Sequence, residues 1–158
     1  MKNLIERKEY LDKLLSYKDK DIIKVVTGLR RSGKSTLLEL FRNCLLGNNV
    51  MPEQIQFYNF ELPENYLNKT WETLYFEVKS KLQTNKPNYI FLDEIQSIAG
   101  FEKMVDGLYA SENVDVYITG SNANLLSSEL TTLLSGRYIE ISILPFSFAE
   151  YLEVRGVK

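Results

Sequence analysis

Histidine is absent from this 158-residue chain, and cysteine occurs once. Without histidine, the side chain that most often serves as general base or zinc ligand near neutral pH is missing, which excludes histidine triads and argues against zinc chemistry. The lone Cys44 has no partner for an internal disulfide. In the apolar-periodic stretch LLELFRNCLL it reads as a buried thiol in a reducing compartment, and the cytoplasm is the expected location. No apolar run approaches the roughly 18 residues that span a bilayer, and MKNLIERKEY lacks the hydrophobic core of a signal peptide, so no membrane partner is expected. Charge of one sign is also lacking. Basic residues number 19 and acidic residues 21, and a net −2 leaves no electrostatic footprint for nucleic acid. Internal repeats, low-complexity tracts and linkers rich in Pro, Gly or Ser are missing, which argues for one domain over 1–158. Chemistry is left to carboxylates, lysine, arginine, hydroxyls and backbone amides.

What is present is a core. Apolar residues make up 44% of the chain and aromatics 12%, enough for one compact unit. Residues 5–17 carry an amphipathic helix pattern, and DIIKVVTG then reads as a strand. STLLELFRNCLL is helical and stops at Gly47, a residue type favoured just past a helix end. QIQFYNFEL alternates polar and aromatic residues as a strand until Pro63 interrupts it. Helix returns over 70–82, and NYIFLDE is an almost continuously apolar strand, as expected when both faces are covered. FEKMVDGLYA, VDVYITG, NLLSSELTTLL and RYIEISILP continue as helix, strand, helix and strand. Five strands alternating with helices at βαβ spacing predict an open, mostly parallel α/β sheet with helices on both faces. The expected organisation is an N-terminal helical segment over 1–20, a core over 21–146, and the start of a further helix over 147–158. Ser147 and Glu150 have the capping-box spacing that opens that helix, and its brevity predicts a first domain of a longer protein.

Gly28-Leu29-Arg30-Arg31-Ser32-Gly33-Lys34-Ser35 matches G-x-x-x-x-G-K-[S/T] without exception, between a strand and a helix. The glycines permit unusual dihedrals and let the amides approach an anion closely. The amides of the loop and of the following helix then face phosphate, where the helix dipole favours negative charge. Lys34 adds a point charge for the β- and γ-phosphates, and the Ser35 hydroxyl can ligate Mg²⁺. Gly28, Ser32, Gly33, Lys34, Ser35 and Thr36 are therefore candidate ATP-binding residues. Arg30 and Arg31 either contact the nucleotide or form a solvated basic face.

Such a loop needs an acidic partner at the end of a neighbouring buried strand. Tyr89-Ile90-Phe91-Leu92 places Asp93 on the same sheet edge, where it can hold magnesium. Glu94 is suited to deprotonating the attacking water. Strand four ends at Gly120, so Ser121 or Asn122 could bond the γ-phosphate or that water, the two being indistinguishable from sequence; the pair is also ordinary turn chemistry. Arg137, before the fifth strand, could reach a nucleotide in a neighbouring subunit and so imply a homo-oligomer, or could be a surface ion pair. Lys24 reads as a strand-edge lysine.

The segments ERKEYLDKL, GLRRSGKST, YIFLDEIQ, YITGSN and LLSGRYIEI together resemble the ATP-binding domain of a bacterial and archaeal AAA-type ATPase family. The resemblance covers nearly the whole chain. It implies a three-layer P-loop NTPase with sheet order 5-1-4-3-2, Lys34 and Ser35 in Walker A, Asp93 and Glu94 in Walker B, and Ser121-Asn122 as sensor 1. It also implies that Arg137 acts as an arginine finger and that Ile5, Glu6 and Arg7 line the adenine site. Full-length members continue into a C-terminal domain of nuclease-like fold, and the helical lid with its second sensor arginine is missing here. The expected cofactors are ATP and Mg²⁺, and the expected activity is ATP hydrolysis that powers or switches a larger protein. The alternative is a regulatory ATP switch or DNA-associated scaffold with little hydrolysis. A small-molecule kinase would need a basic lid over its acceptor, and no Arg-rich segment after strand three supplies one.

Overall fold

The computed structural model describes residues 7–29, 31–121, 123, 125, 129–145 and 155–156. Five strands, β1 (Ile23–Gly28), β2 (Ile55–Asn59), β3 (Asn88–Asp93), β4 (Val114–Gly120) and β5 (Tyr138–Ile143), form one sheet. Its order is β2-β3-β4-β1-β5 and every neighbouring pair is parallel. Read from the other edge this is the order 5-1-4-3-2. β1 and β3 are buried along their whole length, as central strands covered on both faces must be.

The helices sort onto the two faces by the period-2 alternation of the strands. Ile23 and Val25 of β1, Ile90 and Leu92 of β3, and Val116 and Ile118 of β4 point to one side. There they pack on Leu74 of α4 (Trp71–Ser80), Val105 of α5 (Phe101–Tyr109) and Leu130 of α6 (Leu130–Leu133). The short α3 (Pro63–Tyr66) precedes α4. Val26, Tyr89, Phe91 and Tyr117 point to the opposite side, against Leu14 of α1 (Lys8–Tyr17) and Leu38 and Phe41 of α2 (Lys34–Gly47). Phe57, Phe91 and Tyr117 stack in a row across this face at 5.5 and 5.0 Å between ring centres, and Phe41 tilts over Tyr117 at 4.9 Å. Extending the alternation by two residues sets Asp93 beyond Phe91 and Thr119 beyond Tyr117. Both therefore face α2 at the C-terminal edge of the sheet.

Several elements differ from the pattern-based expectation. β2 ends at Asn59, level with the last residue of β3, because Asn59 pairs with Asp93 and no partner strand continues past it. Pro63 opens α3 instead of interrupting a strand, a position where its missing N–H is harmless. Gly47 is the last helical residue of α2, and Asn48 follows as its cap. Cys44 is half-buried against the α2 side of the core. Of the helix expected over 124–134, Leu125 and Leu130–Leu133 are helical and residues 124 and 126–128 lie outside the described residues, as does the helix start at Ser147 and Glu150.

Lys24 is not a strand-edge lysine. It is fully buried on β1, on the face of Tyr117. Its Nζ donates to Asp115 Oδ1 at 2.5 Å and to the Lys20 carbonyl at 2.8 Å. Asp115 Oδ2 also accepts from the Asp19 N–H and the Tyr117 hydroxyl, and Tyr89 donates to Asp19 at 2.7 Å. Burial pushes the Asp115 carboxyl up against the lowering effect of Lys24, and pushes the Tyr117 phenol up as well. The network ties the turn after α1 to β3 and β4 at the N-terminal edge of the sheet.

Candidate functional site

The loop between β1 and α2 is built around close approaches. At Gly28 an added Cβ would stand 2.7 Å from Ser32 Oγ and 2.8 Å from the Ile143 carbonyl, so only glycine fits where β1 turns into the loop beside β5. Arg31 and Gly33 take left-handed conformations with φ of 65° and 98°. Gly33 precedes Lys34 at the head of α2 with no side-chain cap, so the first amides of the helix have no intrahelical acceptor and point outward. Ser32 is buried, and its Oγ has no hydrogen-bond partner among the described residues. Uncapped amides and an orphaned hydroxyl in a glycine-turned loop are what a bound phosphate satisfies.

Lys34 and Glu94 meet across this loop. Lys34 is almost fully buried, and its Nζ donates to the carbonyls of Gly28 and Leu29 at 3.1 and 2.9 Å. It also approaches Glu94 Oε1 at 3.5 Å. Ser35, one residue on in α2, donates its hydroxyl to Asp93 Oδ2 at 2.6 Å. Asp93 itself is completely buried at the end of β3. Burial raises its carboxyl above the usual range, assisted by the charge of Glu94 and opposed by the bonds from Ser35 and Thr119 and by Lys34. A buried carboxylate beside a serine hydroxyl is a pair of hard oxygen donors. That set fits Mg²⁺, which takes one or two carboxylates and completes its shell with phosphate and water. Among the described residues no three of His, Cys, Asp and Glu cluster as a metal site on their own.

Glu94 has a left-handed backbone, φ 56° and ψ 49°, which costs a non-glycine residue on the order of 1–3 kcal/mol. The strain is held by its N–H, which donates to Thr119 Oγ1 at 2.9 Å, and by the 3₁₀ turn Ile95–Ser97 that follows. Thr119 is a site residue that the sequence pattern does not flag. Its hydroxyl also donates to Asp93 Oδ1 at 2.5 Å. The signal for it is the face parity of β4, since a polar side chain two residues past Tyr117 must point at the Asp93 side.

Of the residues expected at the site, Gly28, Ser32, Gly33, Lys34 and Ser35 surround one loop, with Thr36 half-buried in the first turn of α2. Asp93 and Glu94 close on it from β3. Arg31 is exposed, and Arg30 lies outside the described residues. Ser121 directly follows β4 on the same sheet edge, and Asn122 lies outside the described residues. Arg7 joins the site from α1's start: its Nη1 donates to the Ser32 carbonyl at 2.9 Å and its Nη2 to the Leu144 carbonyl at 2.8 Å. Ile5 and Glu6 lie outside the described residues. Arg137 is not part of this group. It precedes β5 at the opposite edge of the sheet, where its exposed side chain pairs through Nη1 with Asp106 at 2.9 Å.

Residues 20–152 match the profile of a family described as an AAA domain. An uncharacterized protein of Haemophilus influenzae is 45% identical over 157 residues, which is 99% of this chain and 39% of that protein. An uncharacterized protein of Methanocaldococcus jannaschii, MJ1544, is 35% identical over 134 residues, covering 85% of this chain and 29% of its own length. The chain thus spans well under half of these relatives. Among solved structures, Cdc6p from Pyrobaculum aerophilum superposes with a TM-score of 0.68 at 13% identity, over 98% of this chain and 49% of that one, a likeness of fold.

Proposed function

The chain belongs to the AAA domain family, and from that premise we propose that it binds ATP with Mg²⁺ at the β1–α2 loop and hydrolyses it. The observation that carries the reading is the convergence on one sheet edge of four side chains, two from the start of α2, one from the end of β3 and one from the residue after it. Ser35 Oγ lies 2.6 Å from Asp93, and Lys34 Nζ lies 3.5 Å from Glu94. In this reading Lys34 exchanges the carbonyls of Gly28 and Leu29 for β- and γ-phosphate oxygens, and the amides heading α2 take the remaining phosphate charge. Ser35 and Asp93 would hold Mg²⁺, which when bound neutralises charge developing on the phosphates. Glu94 then takes the proton of the attacking water.

A carboxylate at the position of Glu94 favours hydrolysis over a pure switch, since binding alone needs no base beside the phosphate. Arg137 would act in trans, its distance from its own loop suiting a nucleotide held by a neighbouring copy. The segment that lengthens the relatives beyond this domain would be what turnover drives. Binding is tested by thermal melting of the full-length protein. Mg-ATP at a hundredfold above Kd stabilises a specific site by about 2.7 kcal/mol. A melt that does not move, or moves equally for Lys34→Ala, would sink the reading.

A further inference from the structure

Gln96 lies in the 3₁₀ turn that follows Glu94. Its Nε2 donates to Glu94 Oε2 at 2.5 Å, while Lys34 approaches the other oxygen, Oε1, at 3.5 Å. The carboxylate is thereby held from two sides. One of these holds is temporary on the hydrolysis reading, because phosphate competes for Lys34. The other is not, because Gln96 is neutral, belongs to the same turn and has no competing partner among the described residues.

The remaining end of the Gln96 amide tells the same story. Its Oε1 is buried and finds no hydrogen-bond partner among the described residues. It lies against Gly120, the last residue of β4, where an added Cβ would stand 2.5 Å from Oε1 and 2.6 Å from Leu125 Cγ. Leaving a buried acceptor unpaired is unfavourable, so the placement is not explained by what the amide oxygen gains. It is explained by the donor end, for which the bare backbone at Gly120 leaves room. Gln96 also complements a carboxylate as a neutral donor, where a glutamate at 96 would set like charges in contact.

The geometry points to Gln96 as the positioning residue for Glu94: its amide fixes the carboxylate toward the phosphate loop once Lys34 has turned to phosphate, and Gly120 seats that amide. The inference rests on the hydrolysis reading above. The Glu94 backbone is already pinned through its N–H to Thr119, so the side-chain torsions are what remains to be set, and a misplaced base forfeits much of its rate.

The test uses full-length protein, with phosphate release and equilibrium binding of a fluorescent ATP analogue measured side by side. Gln96→Leu keeps the volume and removes the donor. It is expected to lower kcat by about ten- to a hundredfold while the analogue's Kd stays within about twofold. Gly120→Ala, which displaces the amide without changing its chemistry, is expected to do the same more weakly. In a Glu94→Gln background, Gln96→Leu should cause no further loss of kcat, because it acts through a base that is already gone. Wild-type turnover that survives Gln96→Leu overturns the assignment, as does an equal loss in both backgrounds or a loss confined to nucleotide affinity. A wild-type protein with no turnover fails the hydrolysis reading itself and takes the positioning role with it.

Discussion

Thr119 Oγ1 donates to Asp93 Oδ1 at 2.5 Å from the neighbouring strand and itself accepts the N–H of Glu94 at 2.9 Å. One hydroxyl therefore fixes the buried carboxylate and the strained residue after it. Thr119→Val keeps the shape but takes the hydrogen-bond partner from buried Asp93 Oδ1 and from the Glu94 N–H, a loss of about 1–3 kcal/mol. Denaturant titration should show that loss, and the protein should need more Mg²⁺ for a given ATP affinity. Thr119→Ser should restore most of both. Equal stability and equal magnesium dependence in Thr119→Val would remove the role given to this hydroxyl.

Lys24 and Asp115 form an ion pair with little access to solvent, and removing one member strands the other. Lys24→Met should destabilise by about 3–5 kcal/mol, and Asp115→Leu by a similar amount. The double replacement should recover part of the loss, since no lone charge is left buried, while the Asp19 N–H and the Tyr117 hydroxyl still lose their acceptor. Melting of the three variants decides this; a double variant as unstable as the sum of the singles would contradict the pairing.

Acid sensitivity should trace in part to Asp19. Burial acts to raise its carboxyl, but hydrogen bonds from Lys18 and Tyr89 and the charges of Lys18 and Lys24 outweigh burial and hold it below the usual range. A folded-state value below the unfolded one means stability that is complete above about pH 4 and is lost as pH falls through the folded value. Asp93 and Asp115 act in the opposite sense, because burial raises both. Tyr89→Phe removes one of the lowering bonds, so the gap in stability between wild type and variant should shrink as the pH falls from 6 toward about 3. A gap of constant size across that range would show that Asp19 does not titrate as described.

The exposed pair of Arg137 with Asp106 should contribute little to folding, about 0–1 kcal/mol, so Arg137→Ala should melt close to wild type. If Arg137 serves a neighbour's nucleotide, turnover per subunit should rise with protein concentration. Glu94→Gln subunits should then rescue Arg137→Ala subunits in mixed oligomers. An arginine supplied in trans can contribute on the order of a thousandfold, which leaves ample range for the rescue to be seen. No rescue in proven mixed oligomers would leave Arg137 as a surface ion pair.

The loop and the Asp93-Glu94 pair were legible because each is a local pattern: a glycine-spaced motif between strand and helix, and an acidic pair ending an apolar run. The sheet was legible for the same reason, from strands and helices alternating at βαβ spacing. Thr119 was hidden inside VDVYITG, where its composition says strand and only its face parity says site. The Lys24–Asp115 bond joins residues 91 apart, and no periodicity along the chain announces a contact of that kind. β2 is shorter than its pattern predicts because FYNFEL keeps its aromatic character past Asn59, whereas strand pairing stops where β3 stops. The resemblance implies an adenine-site role for Arg7, whereas its hold on the carbonyls of Ser32 and Leu144 depends on how the ends of β1 and β5 lie side by side.

The most direct measurement compares Glu94→Gln with wild type in the full-length protein, following ATP affinity and phosphate release in the same preparation. The amide keeps the size of the side chain and cannot take a proton from water. The account predicts that Mg-ATP binds the variant within about twofold of wild type while turnover falls by about a hundredfold or more. A variant that hydrolyses ATP at the wild-type rate would contradict it.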